Sequence, residues 1–317
     1  MVECLCMKPH FLQSKAWEDF QRTEGFETVR REGGDYAFMA IIKPTSLGNY
    51  LFLPYGPTLK NKKALKNAID EIKKVAIEKD CFFARIEPIM NLSEAELHKV
   101  GAQKTRHFDP EHTWVMDLSQ SVEEIFQSIG KNKTRAYKNR AEKGISIRKS
   151  KKPADIETFL RFYEDIAKRD NFQTNERKYL KDQLELGFTT LYIAEFSDGN
   201  RKTPIATTIM YSGDDACYYA YAGADYEYRK KEGGAILLTQ MILDAKVDGK
   251  KVFDFWGITV SDDPKDPWFG FSKFKKSFGG YQVDYAGTYD IPIKRGKYAL
   301  YLLLRPINKL RKRLFQR

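Results

Sequence analysis

Phe82-Phe83-Ala84-Arg85-Ile86-Glu87 and Val252-Phe253-Asp254-Phe255-Trp256-Gly257 are the two stretches on which the fold turns. Each reads as a buried strand that follows a helical segment. Ahead of each helix stands another strand, one running into Tyr55-Gly56-Pro57 and the other into Tyr221-Ala222-Gly223. The order strand, turn, helix, strand therefore occurs twice. An internal repeat fixes architecture before any other detail. It predicts one mixed α/β unit used twice.

Reading outward, Ser14 is placed to cap a helix carrying Trp17 and Phe20 on one face. Strand-like runs follow at Phe26–Arg30, Tyr36–Ile42 and Tyr50–Pro54. Thr58–Asp80 reads as a helix with Leu65, Ile69, Ile72 and Ala76 on its apolar side. Leu92–Val100 is a short helix that Ser93 could cap. Beyond Leu118, helices are predicted over Val122–Gly130, Thr134–Lys143, Asp155–Lys168 and Gly233–Asp248. Strands are predicted over Leu191–Phe196, Pro204–Tyr211 and Ala216–Ala222.

The 317 residues suffice for two domains, and 42% hydrophobic with 14% aromatic residues exclude a disordered chain. No apolar run approaches the ~20 residues of a membrane-spanning helix. Met1–Gln13 lacks the features of a secretory signal. Four cysteines, at 4, 6, 81 and 217, make no disulfide framework, and Cys4-x-Cys6 with His10 matches no common zinc spacing. The chain reads as cytoplasmic.

Net charge is +11, from 54 basic against 43 acidic residues, which suggests a polyanionic partner. Lys131–Lys152 holds ten Lys or Arg and one acid, and Ile291–Arg317 holds nine and none. Those two patches carry the excess. No phosphate-loop, dinucleotide-binding, zinc-protease or serine-hydrolase motif is present. Lys230-x-x-Gly233-x-Ala235 fits the loop with which GNAT acyltransferases hold coenzyme A. It equally fits a glycine-rich helix start packed closely on a sheet.

Val252–Tyr281 adds a Trp256-Gly257-Ile258 strand end, an acidic loop with prolines, and Phe271-Ser-Lys-Phe-Lys-Lys-Ser-Phe-Gly-Gly280. Here the chain resembles the Fem (FemABX) aminoacyl-tRNA-dependent transferases of peptidoglycan bridge synthesis. Their strand end reads Asp-(Phe/Leu)-(Trp/Gly)-Gly-Ile and is followed by a Phe-Lys pair and a Phe-Gly-Gly-like turn. Upstream matches include Trp17, Arg85-Ile-Glu87-Pro, Lys133-Thr-Arg135, Arg140-Ala-x-Lys-Gly144 and Ala167-Lys-Arg169-Asp-x-Phe172. Tyr219-x-Tyr221-Ala-Gly-Ala and Glu227-Tyr-Arg229 continue the series. No counterpart of the coiled-coil arm is seen, as in the compact FemX-like type.

The resemblance implies an α/β (α+β) fold of two tandem GNAT-like acyltransferase domains with mixed sheets. The expected division is residues 1–118 plus 289–317, the C-terminal helix packing back, and residues 119–288. It also implies transfer of an amino acid from charged tRNA to a stem-peptide side-chain amine of a UDP-linked or lipid-linked muropeptide precursor. Aminoacyl-tRNA is then the co-substrate, with no cofactor and no metal, because the ester is already activated. Lys275 is implied to stabilise the oxyanion, with Phe274 as packing support at the substrate. Glu87, where the family has Asp, is implied to orient or deprotonate the amine; an ion pair with Arg85 is the structural alternative.

Tyr221 and Tyr219, two apart on one strand face, match positions lining the substrate cleft. Tyr179 matches a tyrosine near the pyrophosphate site. The cations that family members place there are replaced by Gln21 and Asn175, with Arg22 and Arg177 as neighbours. Lys131, Lys133, Arg135, Lys138 and Arg140 are the expected tRNA-binding residues. Tyr301, Leu302, Leu304 and Leu310 among basic residues suit peripheral contact with an anionic membrane at its inner face. Two rival readings remain. One is a coenzyme-A-dependent N-acyltransferase of the same fold acting on a cell-envelope substrate. The other is a non-catalytic tRNA-binding or membrane-surface protein.

Overall fold

The computed structural model describes residues 9–170, 172–199 and 201–315, with side chains as far as Arg305. It divides into two compact units, Met1–Glu111 with Asp284–Arg317, and His112–Val283. The first unit runs α1 (Lys15–Thr23), β1 (Thr28–Glu32), β2 (Tyr36–Thr45), β3 (Gly48–Leu53), β4 (Thr58–Leu59), α2 (Ala64–Glu78), β5 (Phe83–Ile86), α3 (Glu94–Lys99) and β6 (Gln103–Lys104). The second unit begins with β7 (His112–Asp117). It continues as α4 (Val122–Ile129), α5 (Lys131–Lys138), β8 (Ile145–Ser150), α6 (Pro153–Asp170), α7 (Arg177–Leu184) and β9 (Thr189–Asp198). Then come β10 (Arg201–Ser212), β11 (Ala216–Ala224), α8 (Gly233–Val247), β12 (Val252–Gly257) and α9 (Phe269–Lys276). After β13 (Tyr281–Asp284), the first unit is completed by β14 (Tyr289–Pro292) and α10 (Arg295–Phe315).

Each unit carries a seven-stranded mixed sheet, ordered β1-β2-β3-β5-β14-β6 with β4 on β2, and β13-β7-β12-β11-β10-β9-β8. This is a mixed α/β architecture with one such sheet in each of the two units. The repeat in the sequence corresponds to the parallel pairs β3·β5 and β11·β12. Each pair holds over three residues: Leu51↔Ala84 to Leu53↔Ile86, and Ala216↔Val252 to Tyr218↔Asp254. Parallel neighbours need a crossover, which α2 and α8 supply. β11 then runs on to Ala224 paired with β10 alone.

Ser14 caps α1 through its hydroxyl, which accepts from the Trp17 amide, and Ser93 forms a full capping box with Glu96. Leu65, Ile69, Ile72 and Ala76 of α2 are buried against the first sheet with Leu51, Leu53 and Ala84. That helix is shorter than the spacing predicts. Thr58 and Leu59 pair with Ala37 and Tyr36 as a strand before it begins. In the second unit Leu237, Met241 and Ile242 of α8 close over Met116, Phe253 and Phe255.

The division between units also differs from the expected one. Residues 112–118 were expected in the first domain, yet β7 pairs with β12 through Val115↔Asp254 and Met116↔Phe253. Residues 284–288 were expected in the second and belong to the first unit.

Between β5 and β14 lies a buried ion pair. Arg85 sits directly opposite Asp290, and its Nε and Nη2 donate to the two carboxylate oxygens at 2.7 and 2.8 Å. Tyr298 of α10 adds a third donor to Asp290 at 3.0 Å. Removing one partner strands the other without water. Asp290→Ala is expected to cost about 3–5 kcal/mol, read as a lower urea midpoint at unchanged slope.

Candidate active site

The second unit's site is built where β11 and β12 part. Opposite the end of β12 the ladder to β7 shifts register between Asp254 and Gly257, so Phe255 and Trp256 form a bulge. Trp256 lies at φ 65°, a left-handed conformation that few side chains adopt. Asp254 holds it there: its Oδ1 accepts from the Trp256 amide at 2.7 Å and from the Thr113 hydroxyl. The bulge turns the Gly257 carbonyl toward α9, where Lys275 Nζ donates to it at 2.7 Å.

The chain from Thr259 to Gly280 fixes α9 against this end. Ser272 accepts from the Thr259 amide at 2.9 Å, and the Thr259 hydroxyl donates to Asp266 at 2.9 Å. Asp263 and Asp266 accept from the amides of Lys265 and Trp268, closing short turns. Beyond α9, Phe278 is fully buried in the core. Gly280 has φ 96°, and a Cβ there would stand 2.2 Å from the Val115 carbonyl, so only glycine fits. Trp114 Nε1 ties the turn by donating to Gly279 O at 2.6 Å.

Lys275 is 8% exposed, with its Nζ 5.9 Å from the Tyr219 ring centroid and 5.1 Å from that of Phe271. Desolvation pushes the ammonium down to about 7, against the opposing pull of Asp254. Burial likewise pushes Asp254 up to about 6, although Thr113, the Trp256 amide and Lys275 all favour its charged form. A cation poised near neutrality beside an open strand end can stabilise a developing oxyanion. By contrast Lys273 is exposed, and Lys276 donates to Thr259 O at 3.2 Å.

The first unit has its own polar concavity at the end of β5, lined by Tyr55, Glu87, Asp109, Glu111, Tyr285 and Thr288. Glu87 is buried, its amide donates to Gly56 O at 2.9 Å, and its Oε1 accepts from Thr288 Oγ1 and the Asp109 amide. Its Oε2 is buried without a protein donor. Asp109 beside it is held well above the usual carboxylate range by burial and by the Glu87 charge. The alternative ion pair with Arg85 does not form, because that guanidinium belongs to Asp290. Among the described residues no group of three or more His, Cys, Asp and Glu could hold a metal ion. Cys4 and Cys6 lie outside the described residues.

The sequence model of the FemAB family matches residues 185–305, which include β11, β12, the Lys275 helix and the Phe-Gly-Gly turn. A lipid II:glycine glycyltransferase from Staphylococcus haemolyticus (strain JCSC1435) is 19% identical, across 93% of this chain and 91% of its own. Aminoacyltransferase FemA from Staphylococcus epidermidis is 28% identical over 46% of this chain and 36% of its own. The crystal structure of FemX superposes with a TM-score of 0.80 at 15% identity, covering 95% of this chain and 97% of the other. Residues 185–305 thus carry the FemAB pattern, and over most of its length the chain is similar to a protein named as a glycyltransferase.

The other residues expected at a FemAB site are placed as follows. Alternation would put Tyr219 and Tyr221 on one face, but the structure separates them. Met210 pairs with Tyr219 and Ile209 with Tyr221, so Ala220 is bulged out. Tyr219 packs on the core with Phe274 and lies near Lys275. Tyr221 turns to Tyr163 of α6 and Tyr211 at centroid distances of 5.4 and 6.2 Å, and accepts from Asn175 at 2.8 Å. Tyr179, on α7, is close enough for its charge to bear on Tyr221. Phe274 stacks edge-on to Phe278 at 5.2 Å, a packing role.

Arg22 pairs with buried Glu18 at 2.6 Å and donates to Thr28. Arg177 is held by Glu157 and Glu164. On α5, Lys131 and Arg135 are exposed, whereas Lys133 donates to Ser277 O at 2.9 Å. Lys138 lies over Phe126 at 4.7 Å, and Arg140, beyond the helix, over Tyr137 at 4.1 Å. In the Lys230–Ala235 loop a Cβ on Gly233 would stand 3.1 Å from Ile205 and Ala206, so that glycine serves close helix–sheet packing.

Sequence reading missed Asp254, Thr113, Asp109 and Thr288. The signal for Asp254 was a carboxylate inside an otherwise apolar strand, a residue type almost never buried alone.

Lys275 binds its proton less tightly in the folded chain than in the unfolded one, so folding stability rises as pH climbs from about 7 toward the ordinary lysine value. Lys275→Met removes this pH dependence but leaves the Gly257 carbonyl without its donor, so its stability relative to wild type is expected to fall by about 1–3 kcal/mol as pH is raised from 7 toward 10. Denaturation series at several pH values measure that slope.

Proposed function

We propose that this chain transfers an aminoacyl group from charged tRNA to a side-chain amine in the stem peptide of a peptidoglycan precursor, building the cross-bridge. The observation that carries the reading is the desolvated Lys275 ammonium at the divergent end of β12, on the loop and turn that match the FemAB pattern. The amine nitrogen attacks the ester carbonyl carbon, and the carbonyl oxygen gathers negative charge that Lys275 stabilises. Collapse of the intermediate breaks the bond to the ribose oxygen and leaves an amide. The amine's proton departs to a general base, and the ribose oxygen leaves as a hydroxyl. The ester is already activated, so positioning and charge supply the rest.

The lipid-linked precursor is the acceptor this reading favours. Arg22 and Arg177, which stand next to the positions where family members hold a soluble pyrophosphate, are engaged by Glu18 and by Glu157 with Glu164. The lipid II:glycine glycyltransferase relative acts on such a molecule by name. α10 carries exposed Leu300, Leu302 and Leu303 behind Lys294, Arg295 and Lys297, a surface suited to an anionic bilayer. Leu310, expected to share that surface, lies outside the described side chains. Among the described residues no helix is long and apolar enough to cross a membrane.

Purified protein with bacterial aminoacyl-tRNA, radiolabelled in the amino acid, and either UDP-linked or lipid-linked muropeptide tests the reading. Labelled lipid-linked product is expected. Lys275→Ala should lower it ~10²–10³-fold, while Lys273→Ala stays near wild type. Transfer from acetyl-CoA instead, or tRNA binding without turnover, would overturn it. Lys131→Ala with Arg135→Ala should weaken tRNA binding. The slope of log affinity against log salt should flatten by roughly one for each phosphate no longer neutralised.

A further inference from the structure

We propose that Asp254 is a positioning residue for the transfer, whose braced carboxylate keeps Lys275 in its ammonium form and fixes the strand end that aims it. The inference rests on the reading of Lys275 as the oxyanion's cation. Asp254 is 4% exposed within β12, a position where a carboxylate costs stability unless it serves something. Its Oδ1 receives two donors, the Thr113 hydroxyl from β7 and the Trp256 amide from its own strand. The second of these holds Trp256 in the left-handed conformation, and the next residue, Gly257, presents the carbonyl that Lys275 grips. One side chain thus shapes both the acceptor and the electrostatic surroundings of the lysine.

The groups facing Lys275 leave Asp254 as its charged partner. β11 contributes the ring of Tyr219 and α9 that of Phe271, neither of them charged at neutral pH. On its own helix, Lys273 points to solvent and Lys276 binds the Thr259 carbonyl. Asp266, in the preceding loop, is engaged by Thr259 and the Trp268 amide. Asp254 offsets part of the desolvation that drives Lys275 toward its neutral amine. Asparagine in its place keeps an oxygen for both donors and removes only the charge.

The test titrates Lys275 directly in the full chain labelled with ¹³C at lysine Cε, its resonance assigned by its disappearance in Lys275→Met. In Asp254→Asn the titration midpoint of Lys275 should fall by about one pH unit or more. The alkaline limb of kcat/KM for aminoacyl transfer should move down with it, because activity is lost as Lys275 loses its proton. Thr113→Val, which keeps the carboxylate but removes a donor to it, should move both in the same direction by less. An unchanged Lys275 midpoint in both variants overturns the proposal. A midpoint that moves while the pH–rate limb stays fixed also overturns it, since Asp254 would then not act on transfer through Lys275. Wild type without any transfer would sink the proposed reaction, and the midpoint would still decide the coupling.

Discussion

In each unit a parallel pair of strands stays together for three residues and then separates, and a buried peptide carbonyl left at that point needs a donor. The two units meet the requirement differently. At the end of β5 the Glu87 amide satisfies the Gly56 carbonyl, a backbone solution that leaves the Glu87 side chain for other work. At the end of β12 the Gly257 carbonyl is satisfied by the Lys275 side chain. That choice draws a lysine into a place almost without water. The repeat is shared, but the chemistry of the two strand ends is not.

A lysine so placed is unstable as a cation and must be held. The Phe278-Gly279-Gly280 turn does the holding from one side, because the backbone passes so close to Val115 that no Cβ fits. The contacts of Thr259 with Ser272 and Asp266 do it from the other. Those contacts tie α9 to the chain that leaves β12, so the helix bearing Lys275 and the strand bearing its acceptor cannot move independently. The family pattern of a strand end, a Phe-Lys pair and a Phe-Gly-Gly turn is, in physical terms, one clamp written over nearly thirty residues.

That clamp was legible because its parts are local: a strand ending in glycine, lysines beside phenylalanine, and paired glycines. The repeat and the Ser14 and Ser93 caps were legible for the same reason. What escaped was set by single-residue slips and long separations. The Ala220 bulge turns Tyr221 away from Tyr219, and strict alternation cannot register one extra residue. The bulge at Phe255–Trp256 is equally invisible to a period-two pattern. Asp290 lies 205 positions beyond the Arg85 it pairs with, and Asp109 reaches Glu87 across 22. The short strands β6, β13 and β14 carry too few residues for any period to show.

Charge shows the same gap between composition and structure. A net charge of +11 reads as a surface awaiting a polyanion. Yet Lys133, Lys138 and Arg140 spend part of their reach on the Ser277 carbonyl and on the rings of Phe126 and Tyr137. A cation laid over an aromatic face gains about 0.5–1 kcal/mol when exposed, comparable to its share in a screened phosphate contact, so the two uses compete. On α5 this leaves Lys131 and Arg135 exposed to meet a phosphate, with the neighbouring cations following only if they leave their rings. The number of phosphates engaged, and with it the salt dependence, should therefore be smaller than the ten cations of Lys131–Lys152 suggest.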